Sequence, residues 1–127
     1  MTYHVLVADD EPNIRELMEM YLGVAYDDIK THTAANGKIS VEMYTQLACD
    51  GMRPDLVLMD IRMPVMDGIE ATRRIIESDP DAKIYIVTAY HEPDLIDGAM
   101  NAGANGVINK IIEFKKIAKT VRELLES

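Results

Sequence analysis

The sequence predicts one α/β domain built on a parallel sheet. Three observations carry that reading. Strand-like apolar runs alternate with helical patterns five times along the 127 residues, as crossover-connected parallel strands do. The clearest run, Leu56-Val57-Leu58-Met59, is continuously apolar, as an interior strand is. That run then ends on a charge, Asp60, at the carboxyl end where open parallel sheets place their reactive groups.

Taken in order, the first strand is His4 to Ala8. A helix follows from about Glu11-Pro12, with Pro12 setting a helical φ in the first turn and Ile14, Leu17, Met18 and Tyr21 on the buried face. The second strand is Ile29 to Ala34. A second helix, from about Lys38 to Asp50, uses Val41, Tyr44, Leu47 and Ala48, and Cys49 in the same pattern reads as packing. After the third strand, Leu56 to Met59, Pro64 and Asp67-Gly68 signal a turn and a helix start. Asp67 is its N-cap with Glu70 three positions on, and Ile69, Thr72, Ile75 and Ile76 face inward. Ile84 to Val87 is the fourth strand. The helix from Pro93 to Ala102 is the least favourable, because Asp97-Gly98 lies inside it and glycine costs about 1 kcal/mol relative to alanine. Gly106 to Ile108 is the fifth strand, and a last helix from Glu113 to Leu125 repeats Phe114, Ile117, Val121 and Leu124.

A hydrophobic content of 48% over this length supports one core. No linker or repeat interrupts it, so residues 1–127 are expected to be a single domain with no output domain. The net charge of -9, from 22 acidic and 13 basic residues, disfavours direct binding to nucleic acid or anionic lipid. Lys115, Lys116, Lys119 and Arg122 gather near the end and read as a solvated helix face. No stretch approaches the roughly 18 apolar residues of a membrane span and no export signal is visible, so a cytoplasmic protein is expected. A lone cysteine excludes an internal disulfide, and no Cys/His cluster has metal-ligand spacing.

The chemistry gathers at strand ends. The first strand runs into Asp9-Asp10-Glu11 and the third into Asp60; if these strands are neighbours, several carboxylates share one crevice. Each like-charge pair at about 4 Å costs roughly 4 kcal/mol at an effective dielectric near 20. A cation filling the crevice relieves that cost, and hard oxygen ligands favour Mg2+, with Mn2+ as a substitute. The fourth strand ends in Thr88-Ala89 and the fifth in Lys110, which add a hydroxyl and an ammonium. A nucleophilic carboxylate, a divalent cation and two donors suit a phosphoryl group, with Asp60 becoming an aspartyl phosphate. Singly, the acidic run reads as a helix cap, Thr88 as a strand-end hydroxyl and Lys110 as a surface lysine. Only the set points to a site.

Val5-Leu6-Val7-Ala8-Asp9-Asp10-Glu11, Pro54 to Gly68 around Asp60, Val87-Thr88-Ala89, and Ala102-Gly103-Ala104-Asn105-Gly106 leading to Lys110 together resemble a response-regulator receiver domain, over essentially the whole chain. The resemblance implies a flavodoxin-like doubly wound sheet of order 2-1-3-4-5 and Mg2+-dependent phosphotransfer from a phosphohistidine. It implies Asp60 as the phosphorylated residue. Asp9 and Asp10 match the acidic pair, Asp10 being the more direct ligand, and the main-chain carbonyl of Arg62 the third protein ligand of the metal. Thr88 and Lys110 match the residues that contact the phosphoryl group. The implied partners are a histidine kinase or phosphotransfer protein and a downstream protein target, with a monomer that can dimerise when phosphorylated.

Two departures stand out. Ile111 replaces the proline that usually follows the lysine, so a trans Lys110–Ile111 bond is expected, a non-proline cis bond costing about 3 kcal/mol. Val107 replaces the usual aromatic switch residue, which shifts the readout to Thr88 and the helix after it. Arg62 and Tyr90, two positions past Asp60 and Thr88, are expected to flank the mouth of the crevice and slow loss of the phosphoryl group. Two other readings compete. One is a receiver-shaped scaffold that is never phosphorylated; the other is a Mg2+-dependent phosphatase, which needs an acid two past the nucleophile where this chain has Arg62.

Overall fold

The computed structural model describes residues 1–89, 92–110 and 116–127. Five strands, β1 (Tyr3–Ala8), β2 (Ile29–Ala34), β3 (Leu56–Met59), β4 (Ile84–Thr88) and β5 (Gly106–Asn109), form one parallel sheet of order β2-β1-β3-β4-β5. Between and after them lie α1 (Pro12–Ala25), α2 (Gly37–Cys49), α3 (Gly68–Ser78), α4 (Pro93–Ala102) and a final helix, α5 (Ile117–Glu126). All four residues of β3 are buried, as expected for a central strand covered on both faces.

Side chains alternate across the sheet and divide the core in two. Leu6, Ala8, Val57, Met59, Ile84 and Ile86 pack on one face against Tyr44 of α2, Ala71 and Ile75 of α3 and Ala99 of α4. Val5, Val7, Leu56, Leu58 and Val87 pack on the other against Met18 and Leu22 of α1 and Ile117, Val121 and Leu125 of α5. The helices thus cover both faces.

The strands fall within a residue of the sequence expectation, and α4 has the expected limits. Helix faces required correction. In α1 the buried residues are Met18 and Leu22, while Tyr21 is 38% exposed; the inward line runs along i, i+4 steps from Ile14. In α2 Ala48 and Cys49 are exposed, and Ser40 with Tyr44 and Leu47 faces inward, so Cys49 does not pack in the core. In α5 Leu125 rather than Leu124 is the fully packed leucine. The expected start of that helix at Glu113, its Phe114, the position of Lys115 and the Lys110–Ile111 bond lie outside the described residues.

Of the basic residues near the end, Lys116 and Lys119 are exposed as expected, but Arg122 is not simply solvated. Its guanidinium donates to Asp28 at 2.6 Å and lies over the rings of Tyr3 and Tyr26, pinning α5 to the edge of the α1 side. Among the described residues no helix is long and apolar enough to cross a membrane.

Candidate functional site

The ladder places the acidic strand ends side by side. Ala8 is in register with Ala34 on one side and Met59 on the other. The pairing continues one step further, Asp9 N–H donating to the Ala34 carbonyl at 3.1 Å and Asp60 N–H to the Ala8 carbonyl at 3.0 Å. Both carboxylates therefore leave the same edge of adjacent strands. On the far side, Thr88 is in register with Asn109, which puts Thr88 and the following Lys110 at that edge too.

Turn chemistry then clears the space. Gly68, the first residue of α3, donates its N–H to the Ile61 carbonyl at 2.8 Å, and a Cβ there would stand 1.9 Å from the Asp60 carbonyl oxygen. Only glycine lets α3 start this close to β3. Asp67 caps that helix by accepting from Glu70 N–H at 2.9 Å. Before it, Met66 N–H donates to the Pro64 carbonyl at 2.7 Å around Val65, whose φ of 70° is in the left-handed region. This is a strained γ-turn at an exposed β-branched residue. Its far end is held because Gly37 N–H donates to the Met66 carbonyl at 3.0 Å, and a Cβ on Gly37 would sit 2.3 Å from that oxygen.

Asp9, Asp10 and Asp60 each offer a carboxylate oxygen within 4.8 Å of the others. Asp9 is buried and oriented: its Oδ1 accepts from Glu11 N–H at 2.9 Å, its carbonyl accepts from Arg15 Nη1 at 2.7 Å, and its Oδ2 meets Lys110 Nζ at 2.6 Å. Asp10 is exposed at the mouth. Asp60 keeps a side chain 12% exposed; Oδ1 accepts from Ile61 N–H at 2.9 Å and Oδ2 lies 3.4 Å from Lys110 Nζ. Lys110 thus bridges the two buried acids and is drawn more tightly to Asp9.

Burial pushes the Asp60 carboxyl up to about 6; Lys110 opposes the rise and the charge of Asp9 adds to it. Burial alone would lower Lys110, but its bonds to Asp9 and Asp60 outweigh that and hold it above the ordinary lysine value. Among the described residues, three carboxylates against one ammonium leave an electronegative crevice. Oxygen donors of this kind fit a hard divalent cation.

Thr88 is buried at the end of β4 and Ala89 follows at the same edge. Arg62 is half exposed and paired with Glu92, the N-cap residue of α4. The two border a pocket of about 440 Å³ with Ile61, Met63, Asp67 and Leu95, between the segment after β3 and α4. Tyr90 lies outside the described residues. Val107 is half-buried against the α2–α4 side of the core. Sequence reasoning missed Arg15 and Glu92: neither stands at a strand end, and only the fold shows one holding the Asp9 carbonyl and the other tethering Arg62.

The model of the response regulator receiver domain matches residues 5–122. The chain is 35% identical to the chemotaxis protein CheY of Halobacterium salinarum, over 98% of both chains. It is 30% identical to the regulatory protein AtoC of Escherichia coli over 96% of this chain, but spans only 25% of that longer relative. Among solved structures it resembles response regulator TrrA of Thermotoga maritima in complex with Mg2+ and beryllium fluoride, at 33% identity, 97% coverage of this chain, 99% of that one and a TM-score of 0.79. Sheet order, strand-end chemistry and these matches agree: the chain belongs to the response regulator receiver domain family, the phosphoacceptor modules of two-component systems.

Proposed function

We propose that Asp60 is the phosphoacceptor of this receiver and that Asp9, Asp10 and Asp60 with the Arg62 main-chain carbonyl hold Mg2+, which Mn2+ can replace. The observation that carries the reading is the convergence of the three carboxylates within 4.8 Å beside Lys110. A bound divalent cation would neutralise the crevice and shield the equatorial phosphoryl oxygens.

The chain's own residues supply the rest. Asp60 presents a carboxylate oxygen to the phosphorus of a phosphohistidine; the O–P bond forms as the P–N bond breaks, and the imidazole leaves with the electron pair. Ile61 N–H, bonded to Oδ1, fixes the carboxylate plane. With a cation held by the acids, Lys110 would be free to leave Asp9 and pair with the phosphoryl group, which Thr88 and the Ala89 backbone would contact from the β4 side. Arg62, drawn toward α4 by Glu92, limits in-line entry of water. The donor is a histidine kinase or a phosphotransfer protein, and the output is phosphorylation-dependent binding of a protein target. Domains of this family are generally signalling modules rather than enzymes, and the strand-end acids support no phosphatase reading because Arg62 stands where its acid–base residue would be.

Acetyl phosphate with Mg2+ tests the reading. The intact mass should rise by one phosphoryl group in wild type and stay unchanged in Asp60→Asn or with a chelator. An unmodified wild type, shown to be folded, would favour a scaffold that binds partners without phosphorylation.

A further inference from the structure

His4 and His32 are 28 residues apart in sequence and meet in the fold, His4 Nδ1 lying 3.1 Å from His32 Nε2. The register explains the meeting. His4 stands opposite Lys30 and Leu6 opposite His32, so the histidines are diagonal neighbours on one face of the β1–β2 pair. Their rings lie with centroids 5.3 Å apart and planes 27° from parallel. Both residues are half-buried, so water and ions reach them.

We propose that His4 and His32 form a binding site for a borderline divalent cation of the Zn2+, Ni2+ or Cu2+ class, distinct from the oxygen-lined crevice. Two imidazole nitrogens binding one ion at about 2.05 Å each, at an angle of roughly 100°, stand 3.1 Å apart. That angle lies between the square and the tetrahedral arrangements these ions adopt. In the present pair one ring donates its N–H to the other. Ligation needs the donor ring to carry its proton on its other nitrogen instead, so both rings remain neutral and no net proton is required. Small turns about the soft ring torsions aim both lone pairs at the ion.

The surroundings favour a neutral His32. Burial, then His4 and Lys30, hold His32 below the ordinary imidazole value. Asp55 accepts from the His4 backbone N–H at 2.7 Å and fixes the strand position that carries this ring. Lys30 shares the face and opposes a cation, but it is exposed and its stem can carry the ammonium outward. Imidazole selects against Mg2+, which keeps the two sites chemically separate. An ion here would tie the edge strand β2 to β1, with water completing its coordination.

Titrating untagged full-length protein with Ni2+ by calorimetry, with excess Mg2+ present, tests the site. One equivalent should bind wild type, and His4→Gln and His32→Gln should each weaken it by at least about tenfold, the minimum cost of disturbing a metal's supports. Lys30→Ala should tighten binding, and thermal melts report whether each variant is folded. Absence of Ni2+ binding to wild type, or equal affinity in folded glutamine variants, would overturn the proposal, as would unchanged affinity in Lys30→Ala with wild-type affinity in either glutamine variant.

Discussion

Replacing Asp60 with Asn should stabilise the metal-free protein at neutral pH. The carboxyl is raised to about 6 in the folded chain from 3.8 in the unfolded one, so between those values the folded state binds more protons. Stability is therefore full below about pH 4, declines through pH 4–6, and is lowest above pH 6, where Asp60 is ionised in both states. A rise of about 2 pKa units corresponds to roughly 3 kcal/mol. Asn removes that penalty, in which the attraction to Lys110, 3.4 Å away, is already counted. A gain of up to about 3 kcal/mol follows, an upward shift of roughly 10 °C for a chain of this length. Thermal melts by circular dichroism in chelator at pH 7.5 and 4.5 measure it. The advantage should fall to about a third at pH 4.5, and excess Mg2+ should narrow it at pH 7.5 by stabilising wild type more. An Asn variant that is no more stable at pH 7.5, or a difference independent of pH, would refute the burial argument.

Three further outcomes are expected. Asp79 accepts from Tyr44 Oη at 2.7 Å and Arg53 Nε at 2.6 Å, and Arg53 first and Tyr44 next hold its carboxyl down at about 2; Asp79→Asn should cost about 1 kcal/mol above pH 4 after solvent screening, and the loss should shrink as pH falls toward 2 in urea-denaturation curves. Gly68→Ala should destabilise by about 3 kcal/mol or more, or move the α3 start, because its Cβ would overlap the Asp60 carbonyl; denaturation and phosphorylation yield should fall together. Val65→Gly should leave stability equal or up to about 1 kcal/mol higher by relieving the left-handed strain, partly offset by glycine's entropy, and a loss above about 1 kcal/mol would contradict the strained-turn account.

The sheet was legible because its signal is redundant: a run such as Leu56 to Met59 is apolar on both faces, so no choice of phase is needed. Helix faces were less legible. Leu17 and Met18, or Leu124 and Leu125, are adjacent apolar residues on one helix, and only the position of the neighbouring sheet decides which points inward. Cys49 failed for a related reason: it closes the last turn of α2, beyond the contact with the sheet. The site residues that end strands were visible as charges a strand does not need. Arg15, Glu92 and the His4–His32 pair were not, since each depends on a meeting set by register or helix placement rather than by spacing along the chain.

The sequence also left open which acid Lys110 would favour. In the fold it lies nearer Asp9 than Asp60, 2.6 against 3.4 Å, and sets its ammonium among the acids. The repulsion expected among the carboxylates is thereby offset, and a cation entering the crevice must compete with that lysine.

The central claim is that one carboxylate, Asp60, receives the phosphoryl group. Borohydride reduction of protein phosphorylated by acetyl phosphate with Mg2+, followed by peptide mass mapping, converts an aspartyl phosphate to homoserine and reads its position directly. The account predicts homoserine at position 60 alone; homoserine at position 9 or 10, or at none of these in a protein that has gained a phosphoryl group, would contradict it.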